Sequence, residues 1–468
     1  MTPLLVLSIP GLTRELLSLF PQRAKNLVTL ASEGASCPLV PVLPAVTCPV
    51  QSTFLTGLPP REHGVVANGW YFRDQGGVHF WEQSNALVQG EKIWEAGKKR
   101  DRSFTSAQLF WWFNMHSGND VAVTPRPAHT ADGSLVSLTY TAPPRLAQEL
   151  DAAFGRFPLF KFWGPDAGVG SSLWIEKCAL HVLRQFSPTL TLVYLPHLDY
   201  NLQRLGPGDV RIAHDLDELD QIAGRLVEAA RAKGANAVIL SEYGMTQVDG
   251  AVDINRVLRR AGYLRAQEQA GWELLDCGAS RAFAVADHQV AHVYVRAAED
   301  VQAVRQLLEK TPGIERVLEQ DGIRQAGLDH PRAGELLALS APDKWFTYYY
   351  WEDDAKCPPW AHEVDIHSKP GYDPVELFID PRARLVLPRI LWRLALGKLG
   401  FRLTVMDFIP FDSSLVRGSH GRLPEDPEAG PLLISSAKGE LPARMAAAEV
   451  KGFLLGLIFG ARENSNRS

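Results

Sequence analysis

Residues 44–68 read P-A-V-T-C-P-V-Q-S-T-F-L-T-G-L-P-P-R-E-H-G-V-V-A-N, and no other stretch of the chain is as informative. It places a hydroxyl side chain, Thr47, in a short loop bounded by prolines, between a predicted strand and a predicted helix. The N-terminus of a helix favours negative charge because its backbone N–H groups point outward. Thr47 is therefore a candidate nucleophile at a place suited to a phosphoryl group, and Asn68 follows at a fixed distance. The alternative is that Thr47 only caps a helix that begins near Pro49.

The composition is that of an ordinary globular protein. The 468 residues suffice for about three average domains, or for one large α/β domain with insertions. Hydrophobic residues make up 46%, charged residues 22%, and the net charge is -5. Because this balance carries no basic signature, we expect no nucleic acid as a bulk partner.

The cysteines and the N-terminus indicate where the protein works. The five cysteines are Cys37, Cys48, Cys178, Cys277 and Cys357. They are odd in number and lack C-x-x-C spacing, so neither a disulfide framework nor a thiolate zinc site is predicted. The first apolar run is too short to span a bilayer and is typical of a buried strand, so no transmembrane segment is predicted there. We expect a cytoplasmic protein.

Short apolar runs alternate with helical patterns along the chain. The strand-like runs are 4–9, 189–195, 237–240 and 292–295. The helix-like patterns are 16–33, 212–233 and 301–310. Runs rich in β-branched and large aliphatic residues are typical of parallel strands buried on both faces. The alternation predicts the α/β class, with a doubly wound, mostly parallel sheet in a single domain over residues 1–468.

Three segments interrupt this rhythm. Residues 74–170 are rich in aromatic side chains, and we expect them to form an insertion that lies over the sheet. Residues 278–341 are predicted to form a small βαβ unit, and the two insertions together form a cap. Residues 342–374 are again aromatic, which is typical either of the wall of a binding cleft or of packing against the core.

Polar residues follow several of the predicted strands. In an open α/β sheet the chemistry gathers outside the carboxyl ends of the strands. The residues at these positions are Asn68, His197, Asp199, Gln203, Ser241, Glu242, Tyr243 and, in a late G-S-H-G turn, His420. We expect them to meet at one edge of the sheet.

These positions belong to a series of motifs. The chain carries I-P-G-L at 9–12, T-C-P at 47–49, T-G-L-P-P-R-E-H-G-V-V-A-N at 56–68, D-Y-N-L-Q at 199–203, S-E-Y-G-M at 241–245 and G-S-H-G at 418–421. The series resembles the alkaline phosphatase superfamily, in particular its nucleotide pyrophosphatase/phosphodiesterase and phosphonoacetate hydrolase branches. There the corresponding motifs are D-G, T-x-P, T-G-x-x-P-x-x-H-G-x-x-x-N, D-x-x-x-H, S-D-H-G-M and G-x-H-G. The order and spacing match over nearly the whole chain, so the resemblance implies an alkaline phosphatase-like fold.

The resemblance also implies two zinc ions, held by three Asp and three His beside the nucleophile. At those six positions this chain has Pro10, Asp199, Gln203, Glu242, Tyr243 and His420. A standard two-zinc site is not expected, because Pro has no ligating side chain and Gln and Tyr are poor ligands. The prediction is a reduced site with one divalent ion (zinc, manganese or magnesium) on Asp199, Glu242 and His420, or with none. Gln203 and Tyr243 are weaker candidate ligands.

Two loop residues are further candidates for the site, whereas two nearby histidines are predicted to be structural. Asp365 and His367 occupy a predicted loop that could reach the cleft, which makes them candidate replacement ligands. His288 and His292 stand four residues apart before a Val-rich run, and we expect them to be hydrogen-bonded core histidines at a strand entry.

Three functions fit these residues. The favoured one is a hydrolase of phosphodiester, phosphomonoester or phosphonate bonds in a small molecule, in which Thr47 attacks phosphorus and Asn68 holds a phosphoryl oxygen. The second is a metal-depleted binding protein for a phosphorylated small molecule or a protein partner. The third is a transferase that passes a phosphoryl-type group to another alcohol, which would need a hydrophobic cleft. The sequence indicates no oligomeric state.

Overall fold

The computed structural model describes residues 1–131, 135–364, 369–381, 388, 392, 396 and 409–460. Its strands are β1 (Leu4–Ser8), β2 (Ala35–Val40), β3 (Gly69–Phe72), β4 (Gly77–Phe80), β5 (Ser106–Leu109), β6 (Val121–Pro125), β7 (Ala128–His129), β8 (Leu135–Val136), β9 (Thr139–Ala142), β10 (Leu190–Tyr194), β11 (Asn236–Leu240), β12 (Thr246–Gln247), β13 (Gly250–Val252), β14 (Ala266–Gln269), β15 (Trp272–Leu275), β16 (Ala282–Asp287), β17 (Val290–Val295), β18 (Ile314–Leu318), β19 (Leu336–Ser340), β20 (Lys344–Phe346), β21 (Gly418–Ser419), β22 (Leu432–Ser435) and β23 (Met445–Ala446).

The α-helices of the described residues follow in chain order. They are α1 (Arg14–Leu19), α2 (Lys25–Glu33), α3 (Thr47–Thr56), α4 (Pro60–His63), α5 (Ile93–Arg100), α6 (Arg145–Phe154), α7 (Val169–Gln185), α8 (His197–Leu205), α9 (Ile212–Arg231), α10 (Ile254–Arg260), α11 (Val301–Glu309), α12 (Gln320–Gln325) and α13 (Val450–Phe459). None of them is long and apolar enough to cross a membrane.

A nine-stranded sheet forms the centre of the fold, in the order β23-β2-β22-β11-β1-β10-β5-β6-β9. The five strands from β11 to β6 are parallel to one another, whereas β22 and β9 run antiparallel to them at the two sides. The central strands β1 and β10 are buried along their whole length, as their continuous apolar sequences predict. The predicted α/β class with a mostly parallel sheet is confirmed.

Two groups of helices cover this sheet. One group, α2, α7 and α9, packs together and lies on the strands. The α9 residues at helical spacing that face inward, among them Leu216, Leu219 and Leu226, are fully buried. In the other group α13 contacts β1 and packs against α3 and α5. The sheet is thus doubly wound, and α3 belongs to the second layer.

A smaller, four-stranded antiparallel sheet has the order β16-β17-β19-β18. Strands β17 and β18 each pair with β19, so they run parallel to each other and α11 connects them. This is a split βαβ arrangement within residues 278–341. The run 292–295, expected to be typical of a parallel strand, lies here in β17, which pairs antiparallel with both of its neighbours; a short apolar run does not specify the direction of its partners.

Two other local expectations are corrected. Residues 74–170 do not only lie over the sheet: β5, β6 and β9 fall in this segment and pair within the nine-stranded sheet. The helix predicted over 16–33 is two helices, α1 and α2, because Pro21 lacks the N–H that a continuous helix needs.

The close approach of β21 to α8 gives a test of this packing. A Cβ added at Gly418 would lie 2.1 Å from the backbone oxygen of Leu202 in α8. We expect Gly418→Ala to destabilise the protein by about 2–4 kcal/mol, since backbone must move. Urea unfolding followed by circular dichroism measures this. The control is Gly452→Ala inside α13, where a Cβ meets nothing within 4 Å. That variant should be neutral or more stable by about 0.5–1 kcal/mol. Equal stability of both variants would contradict the packing.

Candidate active site

The site forms where three neighbouring parallel strands end. Ser8, the last residue of β1, is in register with Tyr194 at the end of β10 and with Leu240 at the end of β11. The segments that follow therefore start side by side at one edge of the sheet. They are held together by backbone hydrogen bonds, such as Gly11 N–H to the Tyr243 carbonyl at 3.2 Å. Gly11 has a φ of 78°, a conformation that favours glycine and turns the chain away from the edge.

Thr47 is the first residue of α3 and is buried. The residue in the N-cap position is Val46, so the alternative that Thr47 is only an N-cap is wrong. The Thr47 hydroxyl lies 3.5 Å from the Tyr243 hydroxyl. The capping role falls to Asn68 instead, whose Oδ1 accepts the Cys48 N–H at 2.9 Å. Asn68 thus ties the start of α3 in place.

The side-chain nitrogen of Asn68 is hydrogen-bonded as well. Its Nδ2 donates to Asp287 Oδ1 and to the Tyr372 hydroxyl, each at 3.1 Å. The Tyr372 hydroxyl also donates to Asp287 and contacts His288 Nε2 at 3.1 Å. A phosphoryl oxygen bound by Asn68 would have to share or displace these contacts, so the role predicted for Asn68 stays a prediction.

Glu242 follows β11 and is fully buried. Its Oε1 accepts hydrogen bonds from Ser8 Oγ at 2.5 Å and from Gln51 Nε2 at 2.7 Å. Its Oε2 has no hydrogen-bond partner among the described residues. Burial raises the pKa of Glu242 to about 7, and hydrogen bonds from three side chains, Thr47 among them, act in the opposite direction. The carboxyl therefore changes its charge near neutral pH.

Asp199 and Gln203 lie one turn apart on α8, so both face the same side of the helix. Gln203 Nε2 donates to Asp199 Oδ2 at 2.6 Å. Asp199 Oδ1 and Gln203 Oε1 remain without a partner among the described residues. Burial raises the pKa of Asp199 to about 7, helped by the nearby Glu242, while the Gln203 hydrogen bond lowers it.

Three aromatic rings of the site form a stack. Tyr243 lies parallel to His420 with ring centroids 3.6 Å apart, and His288 covers the other side of His420 at 3.9 Å. His420 Nδ1 donates to the Ala45 carbonyl at 3.0 Å, which leaves Nε2 unprotonated. Burial lowers the pKa of His420 to about 3, so the imidazole is neutral at ordinary pH.

One cavity collects most of the predicted site residues. Thr47, Asn68, Asp199, Gln203, Tyr243 and His420 line it together, whereas Glu242 is not part of its described lining. Its volume is about 40 Å³. The other lining residues are Trp81, Trp112, Phe162, Trp163, Tyr194, Pro196, Tyr200, His288 and Tyr372. The described lining is thus aromatic and holds neither Lys nor Arg.

Sequence reasoning missed several of these residues. His288 and His292 were both expected in the core. His292 is there, since its Nε2 donates to the Val66 carbonyl and its Nδ1 accepts the Gly334 N–H, but His288 faces the cavity. It occupies the β16–β17 turn with a φ of 56°, which no periodicity signals. In residues 342–374 the aromatic side chains of 345–351 are buried in the core, whereas Tyr372 reaches the cavity. The candidates Asp365 and His367 lie outside the described residues.

The chain belongs to the type I phosphodiesterase / nucleotide pyrophosphatase family, whose model matches residues 4–373. An uncharacterised pyrophosphatase/phosphodiesterase of Schizosaccharomyces pombe is 24% identical over 230 residues. That alignment covers 47% of this chain and 40% of the yeast protein, so the chain spans less than half the length of this curated relative.

Solved structures share the fold over nearly the whole chain. Phosphonoacetate hydrolase from Sinorhizobium meliloti, in complex with phosphonoformate, is similar with a TM-score of 0.62 at 14% identity, covering 98% of this chain and 96% of that one. Murine ectonucleotide pyrophosphatase/phosphodiesterase 5, inactive and in complex with AMP, gives 0.59 at 14% identity, covering 100% and 98%. The chain therefore has the alkaline phosphatase-like fold that its motifs predict.

The resemblance implies divalent metal ions at this edge, but the side chains present do not fit them. Within the described residues no group of three or more His, Cys, Asp or Glu could hold a metal ion, so the predicted set of Asp199, Glu242 and His420 is not assembled. Gln203 turns its amide hydrogens toward Asp199. Burial raises the pKa of Tyr243 well above its usual value and keeps the phenol protonated. A proline, a neutral amide and a protonated phenol cannot replace anionic or imidazole ligands.

The buried Glu242 gives a pH-dependent test of stability. Its pKa is about 7 in the folded protein and about 4.3 in an unfolded chain. At pH values between these two, the Glu242 carboxyl is protonated in the folded state and ionised in the unfolded state. The free energy of unfolding therefore falls as the pH rises through this window. Near pH 8, Glu242→Gln should therefore be more stable than the native protein by an amount on the order of 1–3 kcal/mol.

This gain should vanish at about pH 4, where both states of the native protein are protonated. Thermal unfolding at both pH values measures it. The control is Asp321→Asn, which removes a largely exposed carboxylate of α12 and should show no such pH-dependent difference. A Glu242→Gln variant that is less stable than the native protein at the higher pH would refute the buried-carboxyl assignment.

Proposed function

We propose that this protein hydrolyses phosphodiester, phosphomonoester or phosphonate bonds of a small molecule, with Thr47 as the nucleophile. The observation that carries the proposal is that Thr47, at the N-terminus of α3, opens onto the same cavity as Asp199 and His420. Family membership supports the reaction class. A helix N-terminus beside the cavity favours the negative charge of a phosphoryl group.

Glu242 is the group that we assign to activate the nucleophile. The Thr47 hydroxyl is among the groups that lower the pKa of its carboxyl, which is consistent with the two side chains being neighbours. In the ionised state it accepts the Thr47 proton as the oxygen attacks phosphorus; a P–O or P–C bond then breaks and the leaving group takes a proton from water. The hydroxide left from that water attacks the threonyl phosphate, the bond between phosphorus and the Thr47 oxygen breaks, and Glu242 returns its proton to that oxygen, which restores both groups. An adjacent general base of this kind is how enzymes activate weak hydroxyl nucleophiles. No step passes through a metal ion.

Two other functions have support from particular contacts. The hydrogen bond between Gln203 and Asp199 satisfies part of the site without a ligand, which favours a binding protein without turnover. The aromatic cavity walls, including Trp81 and Trp163, favour transfer to an alcohol carried by an apolar acceptor. Product analysis with an added alcohol separates transfer from hydrolysis. A transferase would give mainly the alcohol-linked ester, whereas a hydrolase would give mainly the product of attack by water.

The chain as a whole is proposed to act as one catalytic unit over residues 1–468, with the two insertions and the 342–374 region supplying side chains to one cavity. A cytoplasmic location is part of the proposal. All five cysteines lie in the described part of the chain and each is a free thiol, which suits a reducing compartment. A small phosphate or phosphonate ester is the proposed partner.

Replacing Thr47 tests the nucleophile. We expect Thr47→Ala to lower the turnover of bis(4-nitrophenyl) phosphate by at least about a thousandfold, because the variant lacks the attacking hydroxyl. Thr47→Ser keeps the hydroxyl and should retain measurable turnover. Thr29→Ala on the exposed side of α2 is the control and should behave like the native protein. Unchanged turnover in Thr47→Ala would remove Thr47 from the mechanism.

The general base predicts a pH profile. Because Glu242 must be ionised to accept a proton, kcat/KM should rise with pH up to about 7 and then level off. Glu242→Gln should lose this rise together with most of the activity. Initial rates measured between about pH 5 and 9 test it. A flat profile in the native protein would show that Glu242 is not the base.

A further inference from the structure

The cavity beside Thr47 presents hydrogen-bond acceptors that nothing in the described protein satisfies. Asp199 and Gln203 are more than nine-tenths buried and line the cavity. Asp199 Oδ1 and Gln203 Oε1 have no hydrogen-bond partner among the described residues, although Gln203 Nε2 donates to Asp199 Oδ2 at 2.6 Å. Buried polar atoms in proteins are almost always hydrogen-bonded. These two adjacent acceptors therefore call for a ligand that donates hydrogen bonds.

The charged groups around the cavity also favour a ligand that donates hydrogen bonds. Three buried carboxyl groups belong to this region: Asp199 lines the cavity, Glu242 precedes the lining residue Tyr243 in the chain, and Asp287 is hydrogen-bonded to the lining residue Asn68. No Lys or Arg is present in the part of the lining that the structure describes. The histidines His288 and His420 are neutral, because burial lowers the pKa of each. Buried carboxylates in proteins are normally paired with a cation.

The walls are suited to an organic cation rather than to a hydrated metal ion. The rings of Trp81 and Trp112 lie 4.6 Å apart, and Tyr372 lies 5.1 Å from Trp81 and 5.9 Å from Trp163. They form a continuous aromatic surface next to Asp199. Aromatic faces attract cations, and their apolar area binds carbon-bound hydrogen.

We propose that this cavity binds the primary ammonium group of a small ligand, which donates hydrogen bonds to Asp199 Oδ1 and Gln203 Oε1 between the aromatic walls. The ligand's cation then occupies the edge of the sheet that the family resemblance would give to metal ions. As a statement about substrate, an aminoalkyl phosphate or phosphonate ester, this rests on the function proposed above. As a statement about binding, it stands independently of turnover.

The chemistry of the acceptors and the size of the cavity select this class. A quaternary ammonium group has no N–H and would leave both acceptors unsatisfied. A neutral hydroxyl donates a hydrogen bond but offers no charge to Asp199. The cavity volume of about 40 Å³ corresponds to roughly three water molecules. This accommodates an aminomethyl group.

Calorimetric titration of the full-length protein with three probes tests the proposal. The probes are ethanolamine, ethylene glycol and choline, which differ in charge and in N–H donors. At about pH 8 we expect ethanolamine to bind at least about tenfold more tightly than the other two. Asp199→Asn keeps the shape of the side chain and should remove this preference, while the exposed-site variant Asp321→Asn should keep it. Circular dichroism shows whether Asp199→Asn is folded.

The comparison of probes in the native protein decides the matter even if the variant does not fold. Equal binding of ethylene glycol would mean a polyol site, and equal binding of choline would mean an aromatic cage without hydrogen bonding; either result overturns the proposal. One equivalent of Zn²⁺, Mn²⁺ or Mg²⁺ that competes with ethanolamine would also overturn it. Binding of ethanolamine with no hydrolysis of nitrophenyl esters would refute the proposed function and leave this site intact. Hydrolysis of nitrophenyl esters without ethanolamine binding would refute the ammonium site and leave the proposed function intact.

Discussion

The site depends on the in-register parallel pairing of β1 with β10 on one side and β11 on the other. Because the three strands end at the same level, the turn after β1, the helix α8 and the turn bearing Glu242 begin next to one another. Side chains more than two hundred residues apart are thereby brought into direct contact, as in the hydrogen bond from Ser8 to Glu242. A slip of one residue in this register would turn every side chain to the other face.

The replaced ligand positions are consistent with one another. Positions that would carry metal ligands in the resemblance hold residues that satisfy their neighbours instead: Gln203 donates to Asp199, and Tyr243 stacks on His420. Burying carboxylates away from water at this edge of the sheet is costly, and the cost appears as the raised pKa of Asp199 and of Glu242. Proteins retain costly buried groups of this kind where function requires them.

Much of the architecture could be predicted from sequence. Continuous apolar runs identified β1, β10 and β11, and the motif series identified the loop of Thr47 and the late turn of His420. The errors arose where a local pattern is ambiguous. An apolar run does not state which sheet it joins, and the aromatic segment 74–170 concealed three strands of the main sheet. The contribution of Tyr372 to the cavity also had no local signature, since it depends on where a long loop packs.

The sequence by itself determined the family, the alternation of strands and helices that defines the α/β class, and which polar residues follow the strand ends, because these are recorded in motifs and in the spacing of apolar residues. Only the tertiary structure decided how those residues face one another. It showed that Asn68 caps α3 and that His288 covers His420. It also showed that Asp199 and Gln203 present acceptors without a partner among the described residues to an aromatic cavity whose described lining holds no lysine or arginine. Burial and hydrogen-bond geometry set the charge of a site, and both arise from packing between segments that are distant in the chain.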